Sequence, residues 1–382
     1  GMVQWAATLA TLPILLMVFQ QFSLVSPLAN AVAVPVISFV VTPLALLAAL
    51  IPWPPVLQAA HWVLDGLMPF LGWCASWPVW QAASPPWWAM AGAGLGVAMA
   101  LLPRGVPGRS LGLMLVLPVL IWPAEWPPVG EAWIDVLDVG QGQAVVVRTR
   151  SQVLVFDPGP RYTADADAGQ RVLLPFLRWL GVDRVDVLIV THDDADHAGG
   201  LASLLAALPV ARVLSSASLE GATDCADQKD WAVDGVAFAL LHPRAGDRAG
   251  LSGNDLSCVL RIGVGGHRVL LTADIEAAAE SQLLRRDTAG LQAEVLLAPH
   301  HGSGTSSTAP FIAAVNARDV LFSVGYRNRF GHPQTGVLAR YAAQGARLWR
   351  TDSDGALHVV LRGDGADVSG WRQTRPRYWH GR

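Results

Sequence analysis

Hydrophobic positions follow two different rhythms along the 382-residue chain. Up to residue 126 they form nearly unbroken apolar runs at 5–19, 28–51, 56–73, 87–102 and 111–122. A bilayer-spanning helix needs roughly 17–25 apolar residues, so three or four spans are expected and the first and last runs are short. The first contains Pro13 and ends in Gln20-Gln21, which suits a helix lying along the interface. The last reaches spanning length only if all of 110–126 is used. From residue 130 the rhythm shortens to β-type runs between glycine turns, then to strands alternating with helices. Strands are expected at 133–138, 144–149, 153–157, 185–190, 236–241, 257–262, 268–272, 295–298 and 320–324. Helical spacing fits 171–180, 201–208, 275–286, 310–315 and 336–344. Helices of that number can cover both faces of the sheets, which predicts an α/β fold of the αββα sandwich type, preceded by an α-helical transmembrane region. The expected division is membrane helices over 1–126, a catalytic domain over 130–370 and a tail over 371–382.

Charge sharpens that division. Before Pro103 the only Asp, Glu, Lys or Arg is Asp65, whereas from Ser110 onward 29 acidic and 25 basic residues give a net charge of −4. An acidic domain of this kind is not a basic module that coats nucleic acid. Tryptophans 53, 73, 77, 80, 87, 88, 122 and 126 sit at the ends of the apolar runs, as rings at headgroup level do. The loop 103–109 carries Arg104 and Arg109, which the positive-inside rule assigns to the cytoplasm, so one further span places the second domain outside. If 111–122 does not span, the domain returns to the cytoplasm. No positive n-region precedes the first apolar run, so a cleavable signal peptide is not expected. Three cysteines are too few for a disulfide framework, and Cys225 and Cys258 form one candidate pair.

Candidate chemistry gathers at three strand ends. The run Thr191-His192-Asp193-Asp194-Ala195-Asp196-His197-Ala198-Gly199-Gly200 places two imidazoles and several carboxylates on one loop. Carboxylates that dense repel unless a divalent cation takes their lone pairs together with those of histidine. Asp193 reads as a solvated or capping residue. The second end, Thr272-Ala273-Asp274-Ile275-Glu276, offers Asp274 as a ligand bridging two ions, a role compatible with its capping the helix that follows. The third, Pro299-His300-His301-Gly302-Ser303, supplies His300 as the expected ligand, with His301 free to meet a phosphoryl oxygen or to protonate a leaving group. The reverse assignment of that pair fits the sequence equally well.

The first of these runs resembles the metallo-β-lactamase motif HxHxDH, with Asp194 in place of the second histidine. The superfamily also brings a histidine shortly before its bridging aspartate, where this chain reads Gly253-Asn254-Asp255-Leu256-Ser257-Cys258. The resemblance implies two divalent ions held by His192, Asp194, Asp196, His197, Asp274 and His300, with Asp196 and His301 serving the chemistry. The oxygen-rich set favours Mn²⁺, with Zn²⁺ the alternative, and the missing histidine leaves one site weaker.

Taken whole, the chain resembles the ComEC family of DNA-uptake channel proteins. The likeness rests on Leu137 to Gly142, Asp157-Pro158-Gly159, the three strand ends, Asn254 to Leu260 and Gly325 to Pro333, with Ser26 to Asn30 in the apolar half. It implies the carboxyl half of a longer multi-pass protein of the bacterial inner membrane. In that setting an extracytoplasmic nuclease domain degrades one DNA strand while the other passes the bilayer. Partners implied are single- and double-stranded DNA, lipid and other uptake proteins, with homo-oligomerisation left open. Outside the cell Cys225 and Cys258 can pair if the fold brings their backbones close enough, which their spacing leaves open.

Asp138, Gln141 and Asp157 read as structural residues beside glycine turns. The segment from Arg318 to Arg350 holds six arginines against Asp319 alone. Its Arg327 and Arg329, together with Ser303 after the third strand end, are the expected substrate contacts, and His332 is a candidate substrate residue or leaving-group acid. Two rival readings remain: a membrane-anchored hydrolase of small phosphodiesters or lactones, and a channel subunit with an inactive metal domain.

Overall fold

The computed structural model describes residues 2–51, 53–103 and 105–378. Arg104 of the expected cytoplasmic loop and residues 379–382 of the expected tail therefore lie outside the described residues. The chain forms two compact units, residues 1–124 with 178–181, and 125–177 with 182–382.

In the first unit the apolar runs become the helices Met2–Phe19, Ser26–Val36, Thr42–Leu50, Pro54–Ala75, Trp87–Ala100 and Leu111–Leu120. The second and third join through the wider turn Ile37–Val41, so that Ser26–Leu50 is one continuous helix of 25 residues. At 1.5 Å per residue it is about 37 Å long, against about 30 Å of bilayer hydrocarbon. Among the described residues it is the one helix both long and apolar enough to cross a membrane; Gln4–Phe19, Trp87–Ala100 and Leu111–Leu120 are apolar but shorter. Pro54–Ala75 has the length, yet carries the paired His61 and Asp65 one turn apart. Many large side chains of the unit face outward, Phe39 at 80% exposure and Leu50 at 82%, an arrangement that suits an apolar surrounding rather than water. Trp87–Ala100 and Leu111–Leu120 pack backbone against backbone. A Cβ built on Gly96 would lie 2.4 Å from the Gly112 carbonyl oxygen, so only glycine permits that approach.

The second unit is the expected sandwich of two sheets. The first sheet runs in the order Thr223–Asp224, Val213–Ser215, Val187–Val190, Val153–Pro158, Ala144–Arg148, Ala132–Val136, Leu357–Arg362 and Gly365–Gly370. The second runs Trp231–Val233, Val236–His242, Val259–Val264, His267–Leu271, Val295–Leu297, Asp319–Phe322 and Arg347–Arg350. Side-chain alternation sorts the layers. Ile134, Phe156, Val187 and Ile189 meet Phe238, Leu260, Val295 and Leu297 between the sheets. Leu296, one residue out of phase, faces Leu283, Phe311, Ile312 and Tyr341 of the covering helices instead.

All nine expected strands coincide with observed ones to within two residues at either end. The run at 257–262 begins two residues later, at Val259, because Gly253–Leu256 forms a helical turn. The hairpin Leu357–Arg362 with Gly365–Gly370 and the edge strand Arg347–Arg350 were not expected. The first pairs antiparallel with Ala132–Val136 and so places the end of the domain beside its beginning. Within the expected tail, Trp371–Thr374 is a helical turn whose Arg372 pairs with Asp138 at 3.3 Å.

Candidate metal centre

Four parallel strands deliver the chemistry. Val187–Val190, His267–Leu271, Val295–Leu297 and Asp319–Phe322 each end on the same side of the sandwich, and the residues that follow them are Thr191-His192, Thr272-Ala273-Asp274, Ala298 to His301 and Ser323 to Gly325. Carboxyl ends of parallel strands are where such sheets leave room for ligands.

Asp196, His197, Asp274 and His301 converge there, with one ligand atom from each lying within 4.8 Å of all the others. His197 Nε2 is 3.1 Å from His301 Nε2 and 3.1 Å from Asp274 Oδ1. His301 Nε2 is 3.5 Å from both Asp274 Oδ1 and Asp196 Oδ2. The outer nitrogens of both rings are already committed: His197 Nδ1 to Asp157 Oδ2 at 2.8 Å, and His301 Nδ1 to the Ser323 carbonyl at 2.8 Å. Each outer nitrogen donates, so in the neutral tautomer both inner nitrogens present lone pairs to each other and to two carboxylates. Asp274 Oδ1, fully buried, meets no hydrogen-bond donor while His197 is neutral.

Such a knot of acceptors requires positive charge at its centre. A proton supplies it when no metal is present. Burial opposes a charge on His197, yet Asp274 and Asp157 outweigh that and hold its pKa well above the ordinary value. Burial likewise opposes ionisation of Asp196, but His301 and His197 bring its pKa down to about 2. A divalent cation satisfies the same four ligands more completely, since nitrogen and carboxylate oxygen are both its donors. The residues present therefore fit a metal ion.

His301, rather than His300, joins this cluster. Both have positive φ, 49° at His300 and 54° at His301, in a turn that directs the two rings apart. His300 lies at the mouth, half-buried, with Nδ1 3.1 Å from Glu276 Oε1 and Nε2 3.6 Å from Asp274 Oδ2. His301 has Nδ1 on the Ser323 carbonyl and Nε2 in the cluster, which is the position the sequence reading gave by preference to His300.

Next to His197, whose ring centroid lies 4.2 Å from that of His192, the set is thinner. His192 is buried, with Nδ1 2.9 Å from Thr191 Oγ1 and 3.3 Å from Ser257 Oγ, and Nε2 without a partner. Asp194 is exposed, 3.6 Å from that nitrogen. Where the superfamily's further histidine was missed in the sequence, Ser257 touches His192 and Asn254 Nδ2 approaches His300 Nε2 at 3.5 Å.

Two further aspartates support the cluster from behind. Asp157 orients His197 and also accepts from Gln143 Nε2, Thr191 Oγ1 and the Thr191 N–H, all within 2.9 Å. Asp255 Oδ1 accepts the Glu276 and Ala279 N–H groups at 2.9 and 3.0 Å, capping the helix Ala277–Asp287. That N-cap was one of the two sequence roles offered for Asp274, which is thereby left to the cluster.

Of the expected substrate contacts, Ser303 is buried and bonded to Thr305 Oγ1 at 3.0 Å. Arg327 and Arg329 are exposed, and among the described residues neither forms an ion pair. The other arginines of the segment are spent: Arg318 and Arg347 on Asp319, Arg350 on Asp352, Arg340 on the Ser306 carbonyl. His332 stands edge-on to His300, ring centroids 5.8 Å apart. Cys225 and Cys258 are joined in a disulfide, and Cys258 N–H donates to the Thr191 carbonyl.

Residues 1–107 match a family model described as Competence protein, and residues 137–325 one described as Metallo-beta-lactamase superfamily. Competence protein ComA of Neisseria gonorrhoeae is 36% identical over 98% of this chain and 53% of its own length. ComE operon protein 3 of Bacillus subtilis is 28% identical over 92% of this chain and 50% of its own length. The chain thus spans about half the length of the curated relatives it matches. Among solved structures, the metallo-beta-lactamase fold protein YhfI from Bacillus subtilis aligns with 60% of this chain and 99% of its own, at 13% identity and a TM-score of 0.39.

Proposed function

We propose that this chain, which belongs with the ComEC-type competence proteins through its competence domain followed by a metallo-β-lactamase domain, hydrolyses DNA phosphodiester bonds during DNA uptake. The observation that carries the reading is the buried Asp274 Oδ1 facing two imidazole nitrogens, with no hydrogen-bond donor of its own. Asp196, His197, Asp274 and His301 would hold a divalent ion, and His192 with Asp194 would share Asp274 with a second, weaker one. Mn²⁺ is favoured by the carboxylates and Zn²⁺ is the alternative. When bound, such ions supply a water nucleophile at neutral pH and offset the charge that develops on a phosphodiester.

The chain's own residues do the rest. Asp157 and the Ser323 carbonyl fix the ring orientations of His197 and His301, so the ligand atoms are preorganised before substrate arrives. Arg327 and Arg329 lie exposed near the mouth, where they attract and orient backbone phosphates. His300 reaches Asp274 and can protonate a departing oxygen from its imidazolium form; His332 stands edge-on to it, and because burial lowers its pKa it serves that role only in the fraction that is protonated. Glu276 holds His300 Nδ1 and leaves Nε2 directed at the centre.

An extracytoplasmic position for this domain is supported by the Cys225–Cys258 disulfide, since such bonds persist in oxidising compartments. The apolar first unit, with its 25-residue helix, supports attachment to the bacterial inner membrane as part of a multi-pass channel.

The test is to incubate the full chain in detergent with Mn²⁺ and with single- or double-stranded DNA. Metal-dependent cleavage that Asp196→Ala abolishes is the expected result. Absence of cleavage, or cleavage that Asp196→Ala leaves intact, would sink the proposal.

A further inference from the structure

Tyr326 and Phe330 are large rings left exposed, at 72% and 50%. They sit on the turn from Gly325 to Pro333, which follows the strand Asp319–Phe322. Asn328 closes that turn: its Nδ2 donates to the Gly325 and His332 carbonyls at 3.1 and 2.6 Å, and its Oδ1 accepts the His332 N–H at 3.0 Å. Tyr326-Arg327 and Arg329-Phe330 are thereby held outward on either side of a pinned residue. The Arg327 guanidinium lies over the Tyr326 ring at 5.2 Å and that of Arg329 over Phe330 at 4.8 Å. Phe330 stacks on His332 with centroids 5.7 Å apart, His332 meets His300, and His300 reaches Asp274. A continuous line of rings therefore leads from the metal cluster to the exposed turn.

We infer that Tyr326 and Phe330 form a stacking platform for unpaired bases next to the scissile phosphate, so that this site takes single-stranded rather than paired DNA. The inference rests on the nucleic-acid reading above and names the form of its substrate. Aromatic rings interleaved with arginines are what a single strand needs: π-faces for its bases and cations for its phosphates. A guanidinium plane lying over a ring extends the platform, because bases stack on guanidinium planes as well. Paired DNA cannot use it. Its base faces are covered by their neighbours in the duplex, and only base edges reach a protein surface. A turn pinned by three hydrogen bonds also presents the rings with little ordering left to be lost on binding.

The experiment measures binding of fluorescein-labelled oligo(dT) to the full chain in EDTA, across a salt series, in detergent and in phosphatidylcholine nanodiscs. Working without metal separates binding from turnover. Tyr326→Leu and Phe330→Leu are each expected to raise Kd about tenfold at every salt concentration, leaving the salt slope unchanged. Phe330→Trp should restore binding. Arg327→Gln and Arg329→Gln should instead flatten the slope, by about 0.7 for each phosphate no longer neutralised. A ring variant that weakens binding and flattens the slope together would show that the rings merely hold the arginines in place, and would overturn the platform. So would a hairpin duplex that loses as much affinity as oligo(dT). Binding lost in nanodiscs but present in detergent would mean that the turn sits on lipid, which also overturns it. If the wild-type chain binds no oligonucleotide at all, the nucleic-acid reading itself falls; if it binds and the ring variants match it, only the platform does.

Discussion

Asp319 and Asp274 are buried carboxylates at opposite ends of the same sheet, 0% and 2% exposed, and the fold treats them in opposite ways. Asp319 opens the strand Asp319–Phe322 and accepts from Arg318 Nε, Arg347 Nη2 and Trp349 Nε1 at 2.8–2.9 Å. Asp274 follows the strand His267–Leu271 and faces imidazole nitrogens whose protons are committed elsewhere, with Oδ1 lacking any donor. A carboxylate that only holds a fold together is given N–H groups. One given acceptors instead is placed to share a cation. Buried charge costs several kcal/mol unless compensated, so the difference separates scaffold from centre without reference to any relative.

The contrast breaks most visibly at Asp274. Asp274→Asn should lower metal-dependent DNA cleavage on the order of a thousandfold, whereas Asp319→Asn, remote from the mouth, should leave kcat/KM of the folded protein unchanged. Loss of activity in both, or in neither, would remove the distinction. Steady-state rates on a labelled oligonucleotide report it.

A smaller effect is expected behind the cluster. Asp157 touches no substrate, and its task is to hold His197 in one tautomer and orientation. Asp157→Ala should weaken Mn²⁺ affinity about ten- to a hundredfold, measured by activity against free metal with kcat recovered at saturation. If kcat stays low at saturating metal, Asp157 has a role beyond orientation.

The mildest effect belongs to Asp319 and has a defined pH range. Burial works against its ionisation, but hydrogen bonds from Arg347, Trp349 and Arg318 prevail and leave its pKa below the ordinary value. A carboxylate depressed in the folded state stabilises the fold above its unfolded value of about 3.9 and loses that contribution as pH falls through the lower folded value. Asp319→Asn should therefore cost about 1–3 kcal/mol near neutrality and flatten the stability decline of the wild-type chain below about pH 4. Unfolding midpoints across that range decide it; parallel wild-type and variant curves would refute the assignment.

Much of this was legible in the chain because it was local. The apolar runs without charge, the alternating strands and the strand-end clusters at His192, Asp274 and His300-His301 all lie within a few residues of sequence. What escaped was carried by separation or by backbone angle. Asp157 reaches His197 across 40 positions and Asp255 caps a helix 21 or more positions away, so their spacing gave no sign of contact. The choice between His300 and His301 depends on two successive left-handed residues, which reverse the side-chain directions that a regular strand would imply. Charge counting in the arginine-rich segment could not show that Asp319 and Asp352 engage three of its cations, Arg318, Arg347 and Arg350. The hairpin Leu357–Arg362 with Gly365–Gly370 did leave a signal: Leu357, Val359 and Leu361 alternate inward, ahead of a Gly-Asp-Gly turn.

The central claim is that Asp196, His197, Asp274 and His301 form a metal centre, and calorimetric titration of Mn²⁺ into the metal-free full chain tests it most directly. The account predicts one tight binding event and one weaker one, the tight event weakened at least about a hundredfold by His301→Ala and nearly untouched by His300→Ala. Tight binding that survives His301→Ala, or that disappears with His300→Ala instead, would contradict it.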